Sequence, residues 1–350
     1  MIPFGIISTL FGTTYAVIEK GILGDAAFYP STGNPYSFGL ISSFLMSLVA
    51  GLFIGVFEIA VLNKRFQHDS FFRKIFLKTL IYIAFMVLLI FMISVVSHSL
   101  ELKKSPWDPE VNKLTTNFLF SFAFWSIELY MALGISTCLF YLEVSDNIGQ
   151  SVLINFFTGK YHHPIEEDRI FMFLDMKDST TFAEELGHMQ YFDMLKRYYA
   201  DLTYPIVAHG GQIYQYVGDE VVVTWDRKKG VQNGNCIKCF LAMRAALRNK
   251  AEDYRAKYGV APSFKAGIHL GNVTSGEIGT VKKDIIFSGD VLNTTARVQG
   301  LCNTYQVDLL VTEQLNHALE NHAFEFNEIG NVSLKGREER VTLYSLRQES

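Results

Sequence analysis

The distribution of apolar and polar positions divides the chain in two. Residues 2–18 carry no charge, 37–62 only Glu58, 75–97 only Lys78, and 115–142 only Glu128. Each block is close to the roughly 20 residues a helix needs to cross a bilayer, the first at the short limit. The pattern predicts four transmembrane helices within a domain spanning 1–142. A cleaved signal peptide is the competing reading for residues 2–18, but the stretch lacks a positive start and an Ala-x-Ala exit. Four helices exceed what anchoring requires, which favours a sensing or dimerising role for the bundle, with a ligand or partner that the residues do not identify.

Beyond a connector at 143–168, read as a coupling element with a passive tether as the alternative, the pattern changes to short β-rich runs alternating with amphipathic helical ones, and a second domain is expected over 169–350. The connector's apolar centre, Val152 to Phe157, is followed by a proline at 164 that stops any continuing helix. Ile170–Asp175 reads as a buried strand. Ser179 opens a helix, with Thr181 and Glu184 spaced as a capping box, that continues to Ala208 with a kink expected at Pro205. Gln212–Tyr216 and Glu220–Trp225 form a hairpin about a Gly-Asp turn. A long helix is expected at 234–258, strands at 263–269, 272–278 and 284–287, a helix carrying Asn293 and Arg297, and closing strands near 308–311, 324–328 and 341–346. This order predicts an α+β sandwich, with helices on one face of a mainly antiparallel sheet.

Charge orients the two parts. The loop after the second apolar block carries Lys64, Arg65, Arg73 and Lys74, whereas the loop around 21–36 has only Lys20 at its edge. By the positive-inside rule both termini face the cytoplasm, so the expectation is an integral protein of the cell inner membrane with its polar domain cytoplasmic. The formal net charge of −4 is too small to imply a nucleic-acid partner. Cys138, Cys236, Cys239 and Cys302 fit a reducing compartment, and Cys236-x-x-Cys239 has no second ligand pair at zinc spacing. Glu58 and Glu128 are each costly in lipid: either they lie near helix ends or bond within the bundle, or they mark a ligand or proton path.

The chemistry concentrates in three stretches. Phe173-Leu174-Asp175-Met176-Lys177-Asp178-Ser179-Thr180 and Tyr216-Val217-Gly218-Asp219-Glu220 each set an aspartate at the edge of an apolar run, as a chain does to hold divalent metal. Ser288 to Arg297 sets Asn293 and Arg297 four apart on one helix face. Together they point to nucleotide phosphoryl chemistry.

These stretches, with Gly267-Ile268-His269-Leu270-Gly271-Asn272-Val273, Gly276-Glu277-Ile278-Gly279 and Leu334-Lys335-Gly336, resemble the class III nucleotidyl cyclases over about 168–346. The resemblance implies a ferredoxin-like, palm-like domain behind the membrane helices, and membrane-bound adenylate cyclase activity: ATP to 3′,5′-cyclic AMP and pyrophosphate. It implies two Mg2+ or Mn2+ ions on Asp175 and Asp219 with the Met176 carbonyl, and phosphate contacts from the turn at Lys177, Ser179 and Thr180. Asp178 stands where many members have glycine and is expected to cap the following helix. Asn293 would position the ribose, Arg297 would stabilise the phosphate in flight, and Lys335 would touch the terminal phosphates. In the family the metal and base halves of a site come from different subunits, so a head-to-tail homodimer is expected.

Base-reading positions fall on Gln215 and Ile286, which match neither the usual adenylyl pair nor the usual guanylyl pair. Gln215 can donate and accept, while Ile286 offers apolar contact only. ATP is the favoured substrate, with GTP or mixed purine use as the alternative. A diguanylate cyclase fits less well, because its hairpin signature wants glycine where Val217 stands. A non-catalytic nucleotide-binding membrane receptor is the alternative from another class, opposed by the joint presence of Asp175, Asp219, Asn293 and Arg297.

Overall fold

The computed structural model describes residues 2–23, 36–66, 69–281, 283–319, 324–334 and 340–347. It divides into two compact units, Met1–Ile154 and Asn155–Ser350.

The first unit is helical: α1 (Ile2–Leu23), α2 (Tyr36–Phe57), a π-helical turn (Glu58–Leu62) running into α3 (Asn63–Arg65), α4 (Phe71–Leu102), α5 (Pro109–Leu119) and α6 (Phe122–Ile148). Among the described residues, three stretches are long and apolar enough to cross a membrane: Ser43–Leu62, Phe71–Leu102 and Phe124–Ile148. Four were expected. The first forms a helix, but Ser8, Thr9, Thr13 and Thr14 and the pair Glu19 and Lys20 dilute it. Small residues seat it instead, since a Cβ on Gly12 would lie 2.5 Å from Ser47 Cβ of α2, a backbone approach that only glycine permits.

The block expected at 115–142 is broken. Ser121 is extended (φ −78°, ψ 153°), and its hydroxyl accepts from the Phe124 amide, so it starts α6 afresh as an N-cap. The two isolated charges of the second and third blocks meet. The Lys78 ammonium and the Tyr82 hydroxyl, the latter at 2.9 Å, both donate to the buried Glu58 carboxylate at the π-turn. Glu128 differs, as both its carboxylate oxygens are buried without a hydrogen-bond partner.

After α7 (Gln150–Thr158) come β1 (Ile165–Met176), α8 (Ser179–Ala208), β2 (Gln212–Val217), β3 (Glu220–Asp226), α9 (Arg227–Val231), α10 (Asn235–Asn249) and α11 (Ala251–Tyr258). β4 (Phe264–Ile278), β5 (Asp284–Ser288), α12 (Asp290–Gly300), α13 (Cys302–Tyr305), β6 (Leu309–Thr312), α14 (Glu313–Ala318), β7 (Phe326–Ser333) and β8 (Arg340–Leu346) complete the unit. The sheet runs β2-β3-β1-β4-β6-β8-β7, with β5 paired to β4. All pairings are antiparallel except β4 with β6.

Strand alternation sorts the central residues. Ile170, Met172, Leu174 and Met176 of β1 join Ala266, Ile268 and Leu270 of β4 in a core with α8, α10 and α11. Phe171, Phe173 and Val273 face the other way, against Val291 of α12. Helices therefore cover both faces, not one as expected. The glycines of β4 are what admit α12: a Cβ on Gly267 would lie 2.4 Å from the Gln299 amide nitrogen, and one on Gly271 2.6 Å from Val291.

Other expectations change locally. The two strands read at 263–269 and 272–278 are one continuous β4, and the helix read at 234–258 divides at Lys250 (φ −105°, ψ 5°). α8 departs from helical geometry at Gly187 (φ 71°, ψ 166°), not at Pro205. It starts at Ser179, so Thr181 lies inside it and is no cap, and Asp178 stands at the N-cap position in a left-handed conformation (φ 57°) without a side-chain capping bond.

Candidate active site

Asp175 lies at the end of β1, where the buried run gives way to the turn into α8. Asp219 sits in the turn closed by the Val217–Glu220 pair, beside Gly218 in the left-handed region (φ 64°) that a tight hairpin demands. Tyr199 braces this turn: its hydroxyl donates to the Gly218 carbonyl, and its ring lies 4.4 Å from that of Tyr216.

The two aspartates are electrostatic neighbours. Burial, then the negative charge of Asp219, pushes the Asp175 carboxyl above its ordinary range, while Lys265 pulls the other way. Burial first, then Asp175 and Asp219, raises Glu220 as well. Asp219 keeps one carboxylate oxygen, Oδ2, buried without a hydrogen-bond partner. A buried, unpaired oxygen beside a second carboxylate is costly unless a cation meets it. Hard oxygen donors of this kind suit Mg2+ or Mn2+. Among the described residues no group of three or more His, Cys, Asp or Glu side chains gathers to hold a metal, so further ligands would have to come from backbone, water or substrate.

Two neighbours of Asp175 went unread in the sequence. Lys265 Nζ lies 3.4 Å from Asp175 Oδ2, and Gln299 Nε2 donates to the same oxygen at 3.4 Å. Lys265 stands directly opposite Asp175 in the β1–β4 register, so strand pairing brings it there. The available signal was a lysine set between Phe264 and Ala266 at the start of a strand.

The other expected residues divide. Met176 packs its side chain into the core at 2 % exposure and pairs with Phe264. The Lys177 amide donates to the Ser263 carbonyl at 2.9 Å, and its ammonium is paired with Asp308. Ser179 and Thr180 occupy the first turn of α8, where Asp178 caps nothing and the first amides stay oriented for an anion.

Asn293 is exposed and Arg297 half-buried on α12, whereas Val291, Thr294, Thr295 and Val298 of that helix are buried. Gln215 is exposed on β2 beside a register shift, and Ile286 is half-buried on β5 opposite Gly276. The rings of their chain neighbours, Tyr214 and Phe287, lie 5.0 Å apart, which brings these two strand segments near each other. Ile286 is nonetheless at the opposite end of β4 from Lys265, the register partner of Asp175. Lys335 lies outside the described residues.

Residues 163–348 match the family described as the Adenylate and Guanylate cyclase catalytic domain. The chain is 33 % identical over 209 residues to Adenylate cyclase 2 of Rhizobium meliloti (strain 1021), covering 59 % of this chain and 58 % of that one. It is 29 % identical over 185 residues to an adenylate cyclase of Anabaena cylindrica, covering 50 % and 36 %. It thus spans less than two thirds of either relative. A solved structure of a bacterial light-regulated adenylyl cyclase aligns with a TM-score of 0.50 at 20 % identity, over 62 % of this chain and 65 % of that one, a likeness of fold alone. With the family match extending over more than half its length, the chain belongs to the adenylate and guanylate cyclase catalytic-domain family.

Proposed function

We propose that the chain is a membrane-bound adenylate cyclase that converts ATP to 3′,5′-cyclic AMP and pyrophosphate as a homodimer. The catalytic unit would lie on the cytoplasmic side of a cell inner membrane. The observation that carries the reading is the Asp175–Asp219 pair, with Asp219 Oδ2 buried and unpaired. The adenylate cyclases among the relatives favour ATP over GTP.

Two Mg2+ or Mn2+ ions held by Asp175, Asp219 and the Met176 carbonyl would acidify the ribose 3′-hydroxyl and neutralise the triphosphate. The chain's own groups do the rest. Amides of Ser179 and Thr180 at the start of α8 receive phosphate oxygens. Gln299 and Lys265 hold Asp175 in orientation from two sides. Asn293 orients the ribose, and the Arg297 guanidinium donates to the α-phosphate oxygens as the 3′-oxygen bonds to phosphorus and the bond to pyrophosphate breaks. Lys335 meets the terminal phosphates. Asn293 and Arg297 lie on the side of α12 turned from its buried face, whereas Gln299 turns toward Asp175; a second copy supplying Asn293, Arg297, Gln215 and Ile286 completes each site.

The test is turnover by the full-length protein in membranes, with Mn2+ and then Mg2+, and with ATP and GTP in parallel. Cyclic AMP formation that falls at least about 100-fold in Asp219→Asn is expected for a residue holding the metal. Dominant cyclic GMP reverses the substrate, and absence of any cyclic product from a folded dimer leaves the nucleotide-binding receptor.

A further inference from the structure

The segment that enters the catalytic unit is clamped to the same end of β4 that carries β5. Ser275, Gly276 and Glu277 pair on one side with β5, opposite Phe287, Ile286 and Ile285. On the other side Ser275 pairs with Ile165 at the start of β1, and the Glu277 amide donates to the Tyr161 carbonyl at 3.0 Å. The chain before β1 thus extends the sheet by one more contact, with β4 standing between it and the strand bearing Ile286.

Side chains tie this junction to β5 through a continuous series of contacts. Tyr161 is 5 % exposed, and its hydroxyl donates to Glu167 Oε1 at 3.1 Å while accepting from Lys160 at 2.9 Å. Ser275 donates to the same Glu167 oxygen at 2.6 Å, and Arg169 Nη1 donates to it at 3.3 Å. Glu167, Arg169 and Phe171 follow one another at strand period on one face of β1. The Arg169 guanidinium, 1 % exposed, lies 4.6 Å from the centre of the Phe287 ring, and Phe171 meets the same ring edge-on at 5.4 Å. Phe287 is the residue after Ile286. Arg169 also bonds Thr224 of β3 and Gln212 of β2, the strand of Gln215, so both base-reading strands meet at one guanidinium.

We propose that Tyr161, Glu167 and Arg169 are positioning residues for the nucleotide base, setting where β5 and β2 hold Ile286 and Gln215 according to how the entering chain is seated. This rests on the reading of Gln215 and Ile286 as base contacts. None of the three touches the reacting atoms. Their effect is on where the base sits, and so on affinity and purine selection rather than on the chemical step. Burial favours a neutral Glu167, but the Ser275 hydroxyl, Arg169 and Lys160 outweigh it and keep the carboxylate charged, as the bonds to Tyr161 and Arg169 require.

Tyr161→Phe tests this, because it keeps the buried ring and removes only the hydroxyl. In the full-length protein in membranes, the expected result is an ATP KM raised about 3- to 10-fold, the size of one lost buried hydrogen bond, with kcat within about twofold. The ATP-to-GTP preference should move toward unity. Amide hydrogen exchange should quicken at 284–288 and not at 309–312. A lowered melting temperature with unchanged KM and unchanged purine preference overturns the proposal and leaves a structural staple. Unchanged exchange at 284–288 overturns it as well. If the unaltered protein forms no cyclic product, the base-contact reading fails with it, and the exchange result still reports whether Tyr161 holds β5.

Discussion

Glu167 takes part in more contacts than its place near the start of a strand suggests, accepting from Tyr161, Ser275 and Arg169. Its folded pKa lies below the ordinary 4.5, because these donors and Lys160 outweigh its burial. A depressed carboxylate contributes stability that is present above the unfolded value and lost as pH falls through the folded one. The catalytic unit should therefore lose stability below pH 4.5, and Glu167→Gln should flatten that part of a melting-temperature profile. An unchanged slope would refute the linkage. At this scale the sequence disclosed residues whose spacing is local: Asp219 beside a turn glycine, and Asn293 and Arg297 four apart. Lys265, Gln299 and the Arg169 contacts were hidden because they arise across strand register and helix docking, which one-dimensional spacing does not encode.

Among the elements, α12 depends most on a single backbone approach. Its Gln299 amide would lie 2.4 Å from a Cβ on Gly267, with backbone on both sides of the contact and no flexible side chain to yield. Gly267→Ala should cost at least about 1–3 kcal/mol, as overpacking does, and should reduce turnover beyond what stability explains, because α12 carries Asn293 and Arg297. Gly276→Ala is the control, since its Cβ would meet Pro164 at an ordinary 3.6 Å. Chemical denaturation of both variants checks the difference. β1 and the β2–β3 hairpin were legible, because period-two alternation and a Gly-Asp turn are local signals. The unbroken β4 was not: the reading as two strands leaves a gap at 270–271, yet Gly271 serves the docking of Val291 within one continuous strand. Nor was the break at Phe120, because an N-cap serine inside an apolar run does not interrupt hydropathy.

For the whole molecule, the two units raise separate questions. In the helical unit, Lys78→Met would leave the Glu58 carboxylate buried with Tyr82 alone, at about 3–5 kcal/mol. Adding Glu58→Gln should recover part of that loss, and thermal melts in detergent would read it; equal stability of Lys78→Met and the unaltered chain would refute the pairing. In the catalytic unit, a site shared between copies predicts complementation. Asp219→Asn and Arg297→Ala, each inactive alone, should regain up to about a quarter of normal turnover when co-expressed, since half the dimers then contain one intact site of two. No recovery would argue that each chain completes its own site.

The sheet ends at β2, an outer strand with Tyr216 and Val217 exposed. An apolar border of this kind invites further strands to add. The register shift between Ile213 and Gln215 interrupts the ladder an incoming strand would need. Such a border can meet a neighbour through side chains but cannot seed open-ended stacking, so concentrated preparations should remain discrete particles on standing and not grow into fibres.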